Sequence, residues 1–274
     1  MESDIDLGTV YYEQRGEGRQ LFILHGAPGD VVFMKGMMEP VFDQCPDWQR
    51  TYLDLPGFGR TKANAEVDSY DRVLDFVVEA IENITTGEPY ALIGYSYGGY
   101  LAQGVVRFRP DKLRGLCLIA PRVMRNSELK TIPAKQVLYQ DLGFSNHLEE
   151  GQEWIAEYLV VQEIDRLKRF SNYTNPCLET MDVEFMERLE KSGSGMSIDV
   201  ADLDRSFEYP TLIVTGRQDN VIGYVDAWSI LEAYPRATFA VLDRAGHFLG
   251  LSEQRELFVA LVADWLERAG ESTW

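Results

Sequence analysis

Short apolar runs alternate with amphipathic stretches along most of this chain, which is the pattern of strands alternating with helices. Compact apolar runs predict strands at residues 10–12, 21–24, 50–54, 89–93, 113–119, 210–214 and 238–242. Apolar residues at helical spacing predict helices at residues 70–84, 99–106, 223–233 and 252–268. Strands and helices that alternate in this way form a mostly parallel sheet with helices on both faces, so the pattern predicts an α/β fold.

The pattern changes between residues 121 and 207. No convincing strand is predicted there, and helical patterns such as those at 153–159 and 183–189 dominate. Pro176 and the Gly/Ser-rich run at 191–195 interrupt the segment. We interpret it as a helical cap inserted after a core strand, where it would exclude water and shape a binding pocket.

This interpretation divides the chain into a core, residues 1–120 and 208–274, and an inserted cap, residues 121–207. Aromatic side chains of the cap could line its pocket, although such side chains in small helical segments more often serve packing. The candidates are Tyr139, Phe144, Trp154 and Tyr173.

The most informative motif is Gly94-Tyr95-Ser96-Tyr97-Gly98, which has the form G-x-S-x-G. It lies between a predicted buried strand and a predicted helix, which is the context of a nucleophile elbow. A serine on so tight a turn takes up unfavourable backbone angles. The positions that flank it in the motif, Gly94 and Gly98, must be small. Its hydroxyl then stands clear of the sheet, so Ser96 is the candidate nucleophile.

An acid and a histidine follow the serine in the chain. Asp219 comes just after the predicted strand at 210–214, and His247 comes on the loop after the strand at 238–242. Because the carboxyl ends of parallel strands meet at one edge of a sheet, both side chains are expected beside Ser96. The order Ser96, Asp219, His247 is that of the α/β-hydrolases, which this chain resembles from about Gly8 to its C-terminal helix.

The resemblance implies an α/β-hydrolase fold and an oxyanion hole. The run His25-Gly26-Ala27-Pro28-Gly29 is similar to the His-Gly loop after the third strand of that family's sheet. By this resemblance, the backbone N–H groups of Ala27 and Tyr97 would hold the oxyanion, while Gly26 and Gly29 let the loop approach the substrate. His25 would brace the loop. Because the N-terminus is short, the leading antiparallel strand usual in the family is expected to be missing.

Other histidines and acids compete for the proposed roles. His147 lies in a polar, acidic stretch and is most simply a solvated residue. Asp226 falls within the helix predicted after the Asp219 loop, and Asp243 ends a strand just before His247. The resemblance favours Asp219 over both.

Composition indicates a compact enzyme rather than a nucleic-acid-binding or membrane protein. The chain has 274 residues, 45% of them hydrophobic, which is enough for one large core with an insertion. Its net charge of −18 argues against binding to nucleic acid and disfavours an anionic membrane surface. No run reaches the roughly 18–20 apolar residues of a membrane span.

The termini and cysteines suggest a cytoplasmic protein. The first residues are acidic and lack the basic-then-apolar order of a secretion signal. Three widely spaced cysteines, Cys45, Cys117 and Cys177, suggest reduced thiols, and no pair has the spacing of a zinc site.

These features together predict a serine hydrolase. His247 would accept the Ser96 proton as the hydroxyl attacks a carbonyl carbon, and Asp219 would steady the imidazolium. The substrate would be a small acyl compound, foremost a carboxylic ester, and the mechanism requires neither a metal nor an organic cofactor.

Two other bond classes and one non-catalytic function stay open. The loop at 25–29 resembles that of the proline iminopeptidases, with Ala27 in place of a glycine. The run at 54–61 is closer to esterases and to the C–C bond hydrolases of aromatic ring cleavage, although the latter often have Trp where Phe248 stands. Some α/β-hydrolase folds only bind ligands, but those usually lack a triad member, and none is missing here.

Overall fold

Alternating strands and helices build one large sheet. The computed structural model describes residues 1–150, 152–203 and 205–271. Its strands are β1 (Glu2–Ile5), β2 (Gly8–Arg15), β3 (Arg19–Leu24), β4 (Trp48–Leu53), β5 (Tyr90–Tyr95), β6 (Leu113–Ile119), β7 (Tyr139–Gln140), β8 (Val161–Gln162), β9 (Thr211–Gly216) and β10 (Ala237–Leu242). Eight of these form the sheet, in the order β1-β2-β4-β3-β5-β6-β9-β10. All neighbours from β4 to β10 pair in parallel, so the predicted mostly parallel sheet is confirmed.

Helices cover both faces of this sheet, as predicted. They are α1 (Val31–Phe42), α2 (Tyr70–Thr85), α3 (Tyr97–Phe108), α4 (Glu153–Tyr158), α5 (Ile164–Thr180), α6 (Val183–Ser192), α7 (Val225–Trp228) and α8 (Arg255–Gly270). Side chains alternate across a strand, so Leu21 and Ile23 of β3 face one apolar cluster and Phe22 and Leu24 face the other. Both faces of the sheet are therefore buried, which explains its continuous apolar runs.

The expectation that the leading antiparallel strand is missing was wrong. Strand β1 pairs antiparallel with β2, which itself pairs antiparallel with β4. The sequence of β1, Glu-Ser-Asp-Ile, carries little apolar signal because the strand lies at the sheet edge. Main-chain pairing, rather than burial of side chains, holds it there.

Three further elements differ from prediction. Strands β7 and β8 form a two-residue parallel pair inside 121–207, where no strand was predicted. Residues 223–233 form only the short α7 and a 3₁₀ turn at Leu231–Ala233, instead of one helix. Pro176 lies inside α5 and does not end it. Pro176 has no N–H to donate to the carbonyl oxygen four residues earlier, so α5 continues through this position with one helical hydrogen bond fewer.

Candidate active site

The turn between β5 and α3 holds Ser96 at the carboxyl edge of the sheet. Its backbone has φ 52° and ψ −111°, a strained conformation for a residue other than glycine. A hydrogen bond of 2.9 Å from the Ser96 N–H to the carbonyl oxygen of Ile119 ties the turn to β6. A Cβ on Gly94 would lie 2.5 Å from the carbonyl oxygen of Gly98, so this turn needs small residues.

Ser96, His247 and Asp219 meet at this edge. The Ser96 Oγ lies 2.9 Å from His247 Nε2, and His247 Nδ1 lies 2.8 Å from Asp219 Oδ2. All three side chains are buried. The three residues that the sequence order predicted to converge thus form one hydrogen-bonded chain, which can carry a proton from the serine hydroxyl to the imidazole.

The Asp219 carboxylate is held in its ionised form. Its other oxygen, Oδ1, accepts hydrogen bonds from the backbone N–H groups of Val221 and Ile222 at 2.9 and 3.0 Å. Burial by itself would raise the pKa of Asp219, but the His247 charge and hydrogen bond, with these two amides, hold it below its usual value. A charged Asp219 can orient His247 and stabilise its protonated form.

Two backbone N–H groups border the serine. Ala27 follows β3, and Tyr97 is the first residue of α3, where an N–H has no partner within the helix. Within the described part of the chain, neither N–H donates to another protein group. Ala27 lines both cavities that reach Ser96, and Tyr97 lines one of them.

His25 supports the loop that carries Ala27. The ring is fully buried; its Nδ1 donates to the carbonyl oxygen of Gly26 at 2.6 Å, and its Nε2 accepts from the N–H of Leu55 at 2.9 Å. Burial lowers its pKa to about 4, so the ring is neutral near pH 7. A Cβ on Gly26 would lie 2.9 Å from the Tyr95 ring, and one on Gly29 would lie 2.7 Å from the carbonyl oxygen of Gly26. The loop is therefore close-packed behind the serine.

The competing acids and histidine lie elsewhere. Asp226 accepts a hydrogen bond of 2.8 Å from the Thr131 N–H, and Asp243 is exposed. His147 is exposed and contacts the carbonyl oxygen of Gly143 at 3.1 Å. None of the three is hydrogen-bonded to Ser96 or His247 in the described residues.

Two cavities open at Ser96, and they differ in character. One has a volume of about 260 Å³ and also touches His247; its apolar wall is formed by Pro28, Phe33, Trp154, Tyr158, Leu178 and Phe248. The other has a volume of about 570 Å³ and a mixed wall, in which polar and apolar side chains have similar shares; the polar ones include Arg122, Asn126, Glu128, Lys130 and Glu190. Ala27, Ser96 and Val221 belong to both. We call them the apolar cavity and the polar cavity.

Only one of the four aromatic candidates contacts these cavities. Trp154 lines the apolar cavity. Phe144 is buried in the core, Tyr139 is exposed, and Tyr173 packs against Gly36 of α1. Sequence reasoning missed Tyr158, for which no motif gave a signal, and Phe248, whose position directly after His247 was the available clue.

In the part of the chain that the structure describes, neither a metal cluster nor a membrane helix accompanies the site. Residues 1–150, 152–203 and 205–271 contain no group of three or more His, Cys, Asp or Glu side chains able to hold a metal. The helices of those residues are too short or too polar to cross a membrane. All three cysteines are free thiols.

Comparisons with known proteins agree on one family. A model described as "Alpha/beta hydrolase family" matches residues 21–261. A probable proline iminopeptidase from Leptolyngbya boryana is 25% identical, covering 88% of this chain and 85% of that protein. A pimeloyl-[acyl-carrier protein] methyl ester esterase from Aeromonas hydrophila is 25% identical over 93% and 98% of the two chains. The crystal structure of an alpha/beta superfamily hydrolase from Oenococcus oeni superposes with a TM-score of 0.87 at 25% identity, covering 99% and 100%.

Proposed function

Because the chain belongs to the alpha/beta hydrolase family, we propose that it is a serine hydrolase that cleaves a small carboxylic ester or a related acyl substrate through an acyl-enzyme. The observation that carries the proposal is the continuous contact from Ser96 Oγ through His247 to Asp219, at 2.9 and 2.8 Å. A serine hydroxyl hydrogen-bonded to an imidazole, which a buried carboxylate orients, is the arrangement that activates a serine nucleophile.

The reaction takes place in two halves. His247 Nε2 takes the Ser96 proton as Oγ attacks the carbonyl carbon, and Asp219 stabilises the imidazolium. His247 then gives the proton to the leaving oxygen, and an alcohol departs. Water, deprotonated by His247, attacks the acyl-enzyme and restores Ser96 with release of the acid.

The free N–H groups of Ala27 and Tyr97 would hold the oxyanion of each tetrahedral intermediate. Neither group donates to a protein acceptor among the described residues, which supports this role, since a donor already paired would have to break a bond first. Preorganised donors of this kind typically contribute about 10²–10³-fold each to the rate.

We further propose that residues 121–207 act as a cap over the serine. Trp154 and Tyr158 of α4 and Leu178 of α5 line the apolar cavity, and Glu190 of α6 lines the polar one. These side chains would enclose the substrate and exclude water from Ser96.

An ester is favoured over an amide. The apolar cavity beside His247 suits an uncharged alcohol, and one relative bears the name of a methyl ester esterase. The second candidate is an iminopeptidase-like cleavage of a peptide's first residue. Exposed Glu128 and Glu190 could hold a free amino group, and another relative is named a probable proline iminopeptidase.

The test compares 4-nitrophenyl butyrate with L-proline 4-nitroanilide. We expect ester hydrolysis to dominate, Ser96→Ala to lower kcat by about 10⁴-fold or more, and Asp219→Asn by about 10³–10⁴-fold. Asp243→Asn is the matched control, because it makes the same change at an exposed acid near His247. Its activity should stay within about twofold of the wild type.

A fluorophosphonate probe gives an independent readout. It should label Ser96 in the wild type and leave Ser96→Ala unlabelled, as found by mass spectrometry of the tryptic peptide. Retained activity in purified Ser96→Ala would overturn the assignment of the nucleophile. A larger loss of activity in Asp243→Asn than in Asp219→Asn would overturn the assignment of the acid. Dominant cleavage of the prolyl anilide would favour the second candidate.

A further inference from the structure

The polar cavity contains two cations that form no salt bridge within the described residues. Arg122 and Lys130 are both half-buried in its wall, and neither forms an ion pair with a carboxylate in the described residues. Partly buried cations without a partner carry a desolvation cost, which a bound anion would offset.

The acids of the same cavity lie farther out. Glu128 and Glu190 are exposed, whereas Arg122 and Lys130 are half-buried. Water screens charges at the rim more effectively than charges in the wall, so Glu128 and Glu190 offset the charges of the two cations only in part.

Arg122 is positioned beside the serine by the backbone. Its N–H donates to the carbonyl oxygen of Ser96 at 3.2 Å. Its guanidinium packs on the Tyr100 and Tyr70 rings, 4.8 and 5.4 Å from their centroids, and donates through Nε and Nη2 to main-chain carbonyl oxygens. Its Nη1 has no acceptor in the described part of the chain. The guanidinium is therefore held in place with one donor nitrogen to spare.

Lys130 lies on the other side, against the loop of Asp219. Its Nζ donates to the carbonyl oxygen of Val221 at 3.1 Å, which leaves two N–H groups for another acceptor. Burial, and then the charge of Arg122, lower the pKa of Lys130, and the smaller opposing effects of the Asp219 and Asp226 carboxylates do not cancel this. An anion bound between the two cations would offset both the burial of the Lys130 charge and its repulsion from Arg122.

The position of His247 decides which part of the substrate enters this cavity. His247 must protonate the leaving oxygen, and it lines the apolar cavity but not the polar one. The alcohol of an ester therefore lies in the apolar cavity, and its acyl chain extends into the polar cavity.

We propose that Lys130 and Arg122 bind a carboxylate at the far end of the acyl chain, so that the preferred substrates are half-esters of dicarboxylic acids with an apolar alcohol. The inference rests on the proposed ester hydrolysis and names its substrate class. One water is consumed, the ester C–O bond breaks, and the products are a dicarboxylic acid and the alcohol.

The test uses esters that differ in one charge. Monobenzyl adipate and benzyl hexanoate have the same alcohol and acyl chains of equal length, and release of benzyl alcohol is followed by chromatography. Charge-assisted hydrogen bonds predict that wild-type kcat/KM favours the half-ester by about tenfold or more. Lys130→Met removes the charge but keeps a side chain of similar length. The ratio of kcat/KM for monobenzyl adipate to kcat/KM for benzyl hexanoate should then fall by about tenfold.

Two further variants separate recognition from structure. Lys130→Arg should restore much of the ratio, since it returns the charge. Lys191→Met removes the same charge from an exposed side chain outside the cavity wall, and it should leave the ratio unchanged. If Lys130 serves only to hold the Asp219 loop, Lys130→Met will lower kcat/KM for both esters equally, and the proposal fails. It also fails if the wild type prefers benzyl hexanoate.

Binding of the product distinguishes the two proposals. Adipate is titrated into wild type and Lys130→Met by calorimetry, a measurement that needs no catalysis. Lys130-dependent adipate binding without hydrolysis of either ester would refute the ester hydrolase while supporting the anion subsite. Hydrolysis of benzyl hexanoate without Lys130-dependent adipate binding would refute the subsite alone.

Discussion

His25 is the residue at which burial and protonation are most clearly linked. Its neutral ring both donates and accepts a hydrogen bond, and the accepting Nε2 faces the N–H of Leu55. Protonating Nε2 would place two hydrogens against each other in a site without water access. This explains why burial lowers the pKa of His25 to about 4.

The pKa of His25 predicts acid sensitivity of the fold. Between about pH 6.5 and pH 4 the unfolded chain binds a proton at His25 that the folded protein does not bind, so stability falls as the pH falls through this window. The loss between pH 7 and pH 5 is about 2 kcal/mol. His25→Gln keeps a donor and an acceptor but does not titrate. The free energy of unfolding, measured with urea, is compared between wild type and variant at both pH values. The advantage of the wild type should be about 2 kcal/mol smaller at pH 5 than at pH 7.

The comparison with His25→Gln removes the contribution of the neighbouring acid. Burial raises the pKa of Asp54 to about 6, which has the opposite effect on stability as the pH falls. Asp54 is present in both proteins, so its contribution cancels in the difference. If the free energies of unfolding of wild type and His25→Gln differ by the same amount at pH 7 and pH 5, the pKa of His25 is not depressed.

At the scale of elements, the β5–α3 junction depends on close backbone contact. A Cβ on Gly98 would lie 2.6 Å from the carbonyl oxygen of Leu24 at the end of β3. The first turn of α3 therefore packs directly on the end of β3, which carries the loop of Ala27. This contact fixes the start of α3, at Tyr97, against the strand that precedes the loop of Ala27.

Gly98→Ala should destabilise this junction. The added methyl group meets backbone rather than a flexible side chain, so we expect a loss of about 3 kcal/mol in the free energy of unfolding. Gly270→Ala is the control, because its nearest atoms would be 3.5 Å away at the end of α8, and it should gain up to about 1 kcal/mol. Both are measured by urea unfolding. Equal effects of the two variants would contradict close packing at the junction.

At the scale of the whole molecule, residues 121–207 share the two apolar clusters of the core. Phe144, Ile155 and Phe170 belong to the cluster that contains α1 and α8 side chains, and Phe185 and Leu189 belong to the other. The segment therefore has its main apolar contacts with the sheet's helices and loops. We expect it to unfold together with the core.

Phe170→Ala tests this cooperativity. The side chain is 1% exposed, and its ring centroid lies 4.6 Å from that of Phe248, so truncation should cost about 3–5 kcal/mol. Calorimetry should show one transition moved to lower temperature. Leu129→Ala, at a side chain that is 67% exposed in the same segment, should change stability by no more than about 0.5 kcal/mol. Two transitions, of which Phe170→Ala moves only one, would show that the segment unfolds separately.

Elements with a regular apolar period were predictable, and those without one were not. Helix α2 has a polar face and a buried face, and its predicted range matches the observed one closely. Helix α1 was missed because it is apolar almost all round and contains Gly36 and Pro40, which hides the helical period. Strand β1 was missed because backbone pairing, which leaves no apolar pattern, holds it at the edge.

The sequence by itself determined the α/β architecture and brought Ser96, Asp219 and His247 to one edge of the sheet. It could do so because strand period, turn chemistry and chain order are local properties, and parallel strands place their carboxyl ends together. Only the tertiary structure decided that two cavities meet at Ser96, one mainly apolar and one with a larger polar share, and that Arg122 and Lys130 lie in the wall of the second, the polar cavity. Cavity walls are built from side chains far apart in the chain, and their burial and charge pairing depend on packing that no local pattern encodes.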